Sequence, residues 1–363
     1  MTVSERAEAW RRRGSTFRWA PRDGSAPETN VFHVESGPAD GPVLLLVHGF
    51  PTSSIDWFEV ADLLGDDVRV GLLDFPGYGF SDKPRGWGYS LARDAELLDY
   101  YAREVLGASR VTLVAHDRGS SVALALVLGD PAPSGDASLV VEHLVLTNGN
   151  IFLPLSQLTD FQRLVLDPAT APEVLDVVTP ELLAAGMGTT TFSPPRPADH
   201  PDVAALAVAF AHDDGVGVLH ETIQYLVERA EHERDWLERL ATREVATTLI
   251  WGLLDTVSPP RVAAAVWNEF LAEKPGRNRL YLVPGANHYL QVDRPSALVA
   301  AVRHALAGSA DAMVGPIASG PDAPVLVDAS RTRLPAATEV LGRASLRRGP
   351  GAAPRLGTEP GGR

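Results

Sequence analysis

Three residues of types that can carry out covalent hydrolysis each follow a short apolar run. Asp117 lies in Val111 to Ser121, VTLVAHDRGSS, where an apolar strand runs straight into A-H-D-R-G and a helix. The layout is small-x-nucleophile-x-Gly, a sharp strand-to-helix turn, with aspartate at the position usually held by serine. Ala115 and Gly119 meet the turn's need for small neighbours, while Ser120 and Ser121 fall outside the nucleophile position. Asp255 ends the run Trp251-Gly252-Leu253-Leu254-Asp255, and His288 ends Gly285-Ala286-Asn287-His288. Taken alone, an aspartate before a helix is often only an N-cap. With an acid and a histidine following at the ends of later strands, in the order nucleophile, acid, histidine, it reads as a catalytic triad.

The residue types fix the chemistry. A carboxylate can attack an electrophilic sp³ carbon and form an ester. His288, held by Asp255, would then take a proton from the water that attacks the ester carbonyl. The oxyanion so formed needs donors. The backbone N–H of Phe50, in His48-Gly49-Phe50-Pro51, and that of Arg118 are the expected pair. His48 and His116 read as supports of the turn rather than as reacting groups. The implied substrate is small, hydrophobic and electrophilic, and no cofactor or metal is called for.

The elements that must position these residues follow from apolar periodicity. Residues 43–50, 68–75, 111–116, 142–148, 248–252 and 279–284 are short apolar runs, each expected as a strand buried on both faces. Ser90 can N-cap a helix through Val105, and residues 119–129, 259–273 and 296–307 are helix-like. Strands alternating with helices predict an α/β fold with a mostly parallel sheet flanked by helices. The alternation breaks between Ile151 and Arg243, a stretch of helix formers with a Pro-rich loop at Ser193 to Pro201, and resumes at Thr248. The expected organisation is therefore a core of residues 1–150 and 244–308, with an inserted helical cap over 151–243. The segment 309–363 is rich in Gly and Pro with no sustained period, and is expected to be a disordered tail.

Composition narrows the function classes. The chain has 363 residues, 45% of them hydrophobic, and a net charge of -14, which disfavours nucleic acid and anionic membranes as partners. It has no cysteine, which removes disulfides, thiolate catalysis and cysteine-held metals and fits a reducing cytoplasm. The Arg11-Arg12-Arg13 run is not followed by an apolar segment, so no signal peptide is read there. No apolar run is read as approaching the roughly 18 to 20 residues that cross a bilayer. A cytoplasmic monomer or homodimer is expected.

The motifs resemble the α/β-hydrolase superfamily, in the branch of epoxide hydrolases and haloalkane dehalogenases. The resemblance covers residues 14–308 and rests on HGFP, on the run from Asp74 through Gly77 and Gly79 to Ser81, and on HDRG. HGFPTSSIDW, GFSDKP and LTNGNIF are more similar still to the mesoderm-specific transcript hydrolases. The resemblance implies an α/β-hydrolase fold with a cap, and an epoxide-hydrolase-like reaction from epoxide to diol. In that branch cap tyrosines, usually two, protonate the alkoxide. The cap here holds one, Tyr225, lying off the apolar stripe of its helix, either above the site or half-exposed on the surface. The alternative is a haloalkane or haloacid dehalogenase. Its donors would be Trp236, whose neighbour Leu240 points to packing, or Arg118, which can bind an anionic substrate or neutralise a buried carboxylate. The second arginine of haloacid enzymes is Ser121 here. A third reading, of another class, is a non-catalytic ligand-binding protein that retains the triad.

Overall fold

All six apolar runs become strands of one ten-stranded sheet in the computed structural model, which describes residues 4–129, 139–307 and 315–328. The strands are β1 (Gly14–Trp19), β2 (Thr29–Ser36), β3 (Val43–Val47), β4 (Arg69–Leu73), β5 (Arg110–His116), β6 (Val140–Thr147), β7 (Ala246–Gly252), β8 (Arg279–Val283), β9 (Gly315–Pro316) and β10 (Val325–Asp328). Their order is β1-β2-β4-β3-β5-β6-β7-β8-β10-β9. The six strands from β4 to β8 in that order are mutually parallel. Both flanks are antiparallel additions. Strands β3, β4 and β5 are buried after their first residue, because helices cover both faces of a parallel sheet. Strand β1 is partly exposed along its length, so it gives no continuous apolar signal in the sequence.

Local rules account for the helices. Ser90 caps the helix Leu91–Tyr100 by accepting from the Arg93 N–H at 3.2 Å, and the chain continues through a wider turn at Tyr101–Val105. The arginine run forms the last turn of a helix, Glu5–Arg13, with Glu5 and Glu8 in its first turn. Both ends thus complement the helix dipole.

The chain leaves the sheet at Thr147 and returns at Ala246. Between lie the helices Asp160–Leu166, Ala171–Val177, Pro180–Thr190, Pro201–Ala211, Leu219–Thr222 and Tyr225–Thr242, with no strand among the described residues. Acidic side chains of this stretch accept main-chain N–H groups on or leading from the sheet. Asp213 takes Lys83 N at 2.9 Å, Glu221 takes Gly86 N at 2.8 Å, and Glu228 takes Leu91 N at 2.7 Å. Leu91 opens a helix, where N–H groups lack internal partners and favour an anion.

Two expectations need correction. Pro201–Thr222 is, by length and composition, apolar enough to cross a membrane. Its helical run is broken at Asp213 and Asp214, at φ 47° and 54°, and its first part packs on Glu5–Arg13 and Pro180–Thr190. Its apolar residues fill an interior between helices, which satisfies the same composition. Second, the segment expected as a disordered tail contributes β9 and β10. Strand β10 pairs antiparallel with β8, and Leu326 is fully buried. A short Val-Leu-Val run is enough here because the β8 edge supplies the hydrogen-bonding partner. Residues 309–314 and 329–363 of that segment lie outside the described residues.

Candidate active site

Strand β5 ends at His116 and the next helix, Arg118–Leu128, begins one residue later. Asp117 makes the turn alone, at φ 49° and ψ -119°. Such backbone costs on the order of 1–3 kcal/mol and persists only where the surroundings over-determine it. Here they do. Its N–H donates to Thr147 O at 3.2 Å, and its carbonyl accepts from Ser120 N at 3.0 Å. A Cβ on Gly49 would stand 2.5 Å from Asp117 Cβ, and one on Gly119 would stand 2.6 Å from the Val47 and His48 carbonyl oxygens. The conformation aims the carboxylate across the carboxyl ends of β3, β6 and β8, where open parallel sheets gather ligands.

The three residues expected to act together lie side by side. Asp117 Oδ2 lies 3.5 Å from His288 Nε2, and His288 Nδ1 lies 3.0 Å from Asp255 Oδ2. All three side chains are buried. Asp255 is pinned by the N–H groups of Val257 and Ser258 on Oδ1, at 2.8 and 2.9 Å. The His288 loop is fixed by Asp293, which accepts from Asn287 N at 2.8 Å, and by Asn287 Oδ1, which accepts from His288 N at 2.8 Å. Phe50 N–H, on the turn after β3, donates to Asp117 Oδ1 at 2.8 Å. Arg118 opens its helix, where the backbone N–H has no intrahelical partner.

Charges in the triad support one another. Burial works against ionisation of Asp117. The hydrogen bond and charge of His288, with the Phe50 N–H, outweigh it and hold the carboxyl below its ordinary range. Burial likewise works against a charged His288, but Asp255 and Asp117 together raise it to about 10. In the resting site the imidazole therefore carries a proton between two carboxylates. His48 and His116, by contrast, are pushed down to about 3 by burial and stay neutral. His48 lies 2.9 Å from Gly49 O through Nδ1, and its Nε2 accepts from Phe75 N at 3.1 Å. His116 packs its ring 5.0 Å from those of His288 and Tyr289.

Three residues named for substrate or leaving-group contact have distinct positions. The Arg118 guanidinium is buried and paired with Asp94, on the helix Leu91–Tyr100, and lies 5.0 Å from the Tyr78 ring centroid and 5.5 Å from that of Tyr225. A buried guanidinium demands a counter-ion, and Asp94 fills that role through Nη2, while Nε and Nη1 have no hydrogen bond among the described residues. Trp236 is corrected. It packs beneath Arg229, at 5.2 Å, and stacks on His232, away from the residues that line the main cavity. Tyr225, by contrast, heads the helix Tyr225–Thr242 and is buried, its ring 6.0 Å from Phe50. Its hydroxyl meets the side chain of Asn150. Burial first, then the charge of Asp117, push it well above the usual tyrosine range. It stays a neutral O–H.

Two contacts to the triad went unread in the sequence, and both come from the Asn148-Gly149-Asn150 string after β6. Asn148, at φ 45°, donates from Nδ2 to Asp255 Oδ2 at 2.7 Å and accepts from Gly252 N at 3.1 Å. Asn150 Nδ2 donates to Asp117 Oδ2 at 3.1 Å. The available signal was polar side chains at the carboxyl end of a central strand.

A cavity of about 410 Å³ opens between the sheet and the helices above it. Phe50, His288 and Tyr289 form its floor, and Phe161, Val178, Leu183 and Met187 line it from the inserted stretch. The lining is mainly apolar, as for sites that take hydrophobic small molecules.

Comparison with known proteins agrees with this architecture. A family model described as alpha/beta hydrolase fold matches residues 42–295. LipZ of Mycobacterium tuberculosis, whose name calls it a hydrolase, is 33% identical over 296 residues, covering 81% of this chain and 96% of that protein. The human mesoderm-specific transcript homolog protein is 28% identical over 297 residues, 81% of this chain and 85% of its own length. The crystal structure of an α/β-hydrolase-fold protein from Burkholderia ambifaria superposes with a TM-score of 0.62 at 26% identity, over 79% of this chain and 96% of that one.

Proposed function

The chain belongs to the α/β-hydrolase family, and from that premise we propose that it is a hydrolase working through an ester on Asp117, with a hydrophobic epoxide as substrate and a diol as product. The observation that carries the reading is the Asp117 carboxylate itself. It sits at the strained turn, with Oδ1 on the Phe50 N–H and Oδ2 toward His288. In this reading residues 151–243 act as the cap over the core.

The steps balance as follows. Asp117 Oδ2 attacks one epoxide carbon, the C–O bond breaks, and its electron pair stays on the departing oxygen. Tyr225 gives that oxygen a proton. Esterification removes the Asp117 charge, so His288 keeps its proton less firmly, and that proton restores Tyr225. Neutral His288 then takes a proton from water, whose oxygen adds to Asp117 Cγ. The oxyanion on Oδ1 rests on the Phe50 and Arg118 N–H groups. Collapse breaks the Cγ–Oδ2 bond, His288 returns its proton to the leaving alkoxide, and the carboxylic acid left on Asp117 passes its proton to His288, which restores the resting pair. One diol oxygen comes from the epoxide and the other from Asp117.

Epoxide is favoured over halide because Tyr225 offers a buried O–H acid with its ring 6.0 Å from Phe50, while the indole of Trp236 packs against Arg229 and His232. Turnover of an epoxide panel, with diol measured by chromatography and halide release from haloalkanes run alongside, tests this. Tyr225→Phe is expected to slow epoxide opening by roughly 10²-fold, at the lower end of what a general acid contributes. It should leave the hydrolysis of a preformed ester nearly unchanged. Halide release with no diol from any epoxide would replace this reading with dehalogenation.

A further inference from the structure

The two oxygens of Asp117 are not equivalent, and their partners assign them different fates. Oδ1 accepts from the Phe50 N–H at 2.8 Å. That donor is useful in the hydrolytic half only if Oδ1 is the ester carbonyl oxygen. The oxygen that bonds to substrate is therefore Oδ2. Oδ2 is also the atom nearest His288 Nε2, at 3.5 Å, and the one that accepts from Asn150 Nδ2 at 3.1 Å.

Asn150 is 1% exposed, and the loop that carries it is clamped from both sides. Arg229 donates to Ile151 O at 2.6 Å, Glu233 accepts from Leu153 N at 2.6 Å, and Ser258 Oγ donates to Gly149 O at 2.7 Å. The Asn150 side chain also meets the Tyr225 hydroxyl, so the two groups stand together beside the nucleophile.

We propose that Asn150 is the second leaving-group donor of this site, working with Tyr225. The chemistry follows from what happens to Oδ2. As a carboxylate oxygen it is a strong acceptor and holds the amide N–H. When Oδ2 forms its bond to carbon, it becomes an ester oxygen and a poor acceptor. At that same moment negative charge appears on the oxygen departing from the adjacent carbon. The amide N–H passes to it, so its interaction is stronger in the transition state than in the ground state, the condition for raising the rate. Before reaction the same bond selects Oδ2 as the attacking atom. Asn150 donates a hydrogen bond throughout and gives up no proton; the proton still comes from Tyr225.

This inference rests on the ester mechanism proposed above, and the test separates the two. In a His288→Gln background, ester formation on an epoxide is followed by intact-protein mass spectrometry, with and without Asn150→Ala. Adduct formation is expected to slow by roughly 10²-fold in the double variant, as for loss of one preorganised donor. Hydrolysis of ester preformed on the single variant Asn150→Ala should change by less than about threefold, since Oδ1 and His288 are untouched. An isosteric variant, Asn150→Asp, guards against misfolding. It should form adduct slowly at neutral pH and recover as the medium is acidified and the introduced carboxyl regains an O–H, a profile opposite to the parent's. No adduct in His288→Gln on any electrophile defeats the ester mechanism itself. Adduct formation at the parental rate in both Asn150 variants defeats only the role of Asn150. Equal slowing of both halves in both variants makes Asn150 structural and also overturns the inference.

Discussion

Asp117→Asn is expected to lower turnover by at least about 10⁴-fold, the scale of losing a covalent nucleophile. The chain should stay folded. The amide keeps an oxygen for the Phe50 N–H and nearly the same volume at a position in contact with Gly49. Two further readouts tie the loss to chemistry. No ester should form on any electrophile, and the proton on His288 should become easier to remove, because one of the two carboxylates that raise it to about 10 is gone. Titration of the His288 ring by NMR would show this as a downward shift. If the variant binds ligand unchanged and the parent never forms an adduct, the protein is a binder that retains its triad.

His288→Gln should split the reaction. Ester formation on Asp117 proceeds, and hydrolysis stops, because the group that deprotonates water is absent. A stable adduct is expected within one turnover, heavier by the whole mass of an epoxide, or by a haloalkane less hydrogen halide. The pH dependence has a definite sign. The base is neutral His288, so ester hydrolysis in the parent rises with pH as the imidazolium loses its proton. Ester formation needs ionised Asp117, whose carboxyl lies below its ordinary range, so it holds down into mildly acidic solution. Residual hydrolysis in His288→Gln should lose the rise with pH. Rapid hydrolysis that keeps it would assign the base elsewhere.

The sheet and the triad were legible in the sequence for a common physical reason. Strands buried on both faces read as unbroken apolar runs, and each triad residue directly follows one. The Asp117 turn was also legible, because its tight backbone demands Ala115 and Gly119 nearby. What went unread depends on partners distant in sequence. Arg118 could equally have met a ligand or a carboxylate; the carboxylate it meets, Asp94, lies 24 residues away. Trp236 was read with a substrate role, and its neighbours Arg229 and His232 define its place instead. Asn150 carries no periodicity, and its bond to Asp117 spans 33 residues. Strand β1 escaped because a half-exposed edge strand has no apolar run to find.

The short strand Val325–Asp328 matters for how the protein can be handled. It is the neighbour that completes β8, the strand whose exit loop carries His288. A chain cut at Ala307, the natural place to trim by composition, would bare the β8 main-chain donors and acceptors as an open edge, a template for intermolecular pairing. The trimmed protein is expected to self-associate as its concentration rises, visible by light scattering, and a cut placed after Asp328 should avoid this. Solubility and catalysis would then be linked through one strand, since pairing at that edge would pull on the loop that holds the histidine.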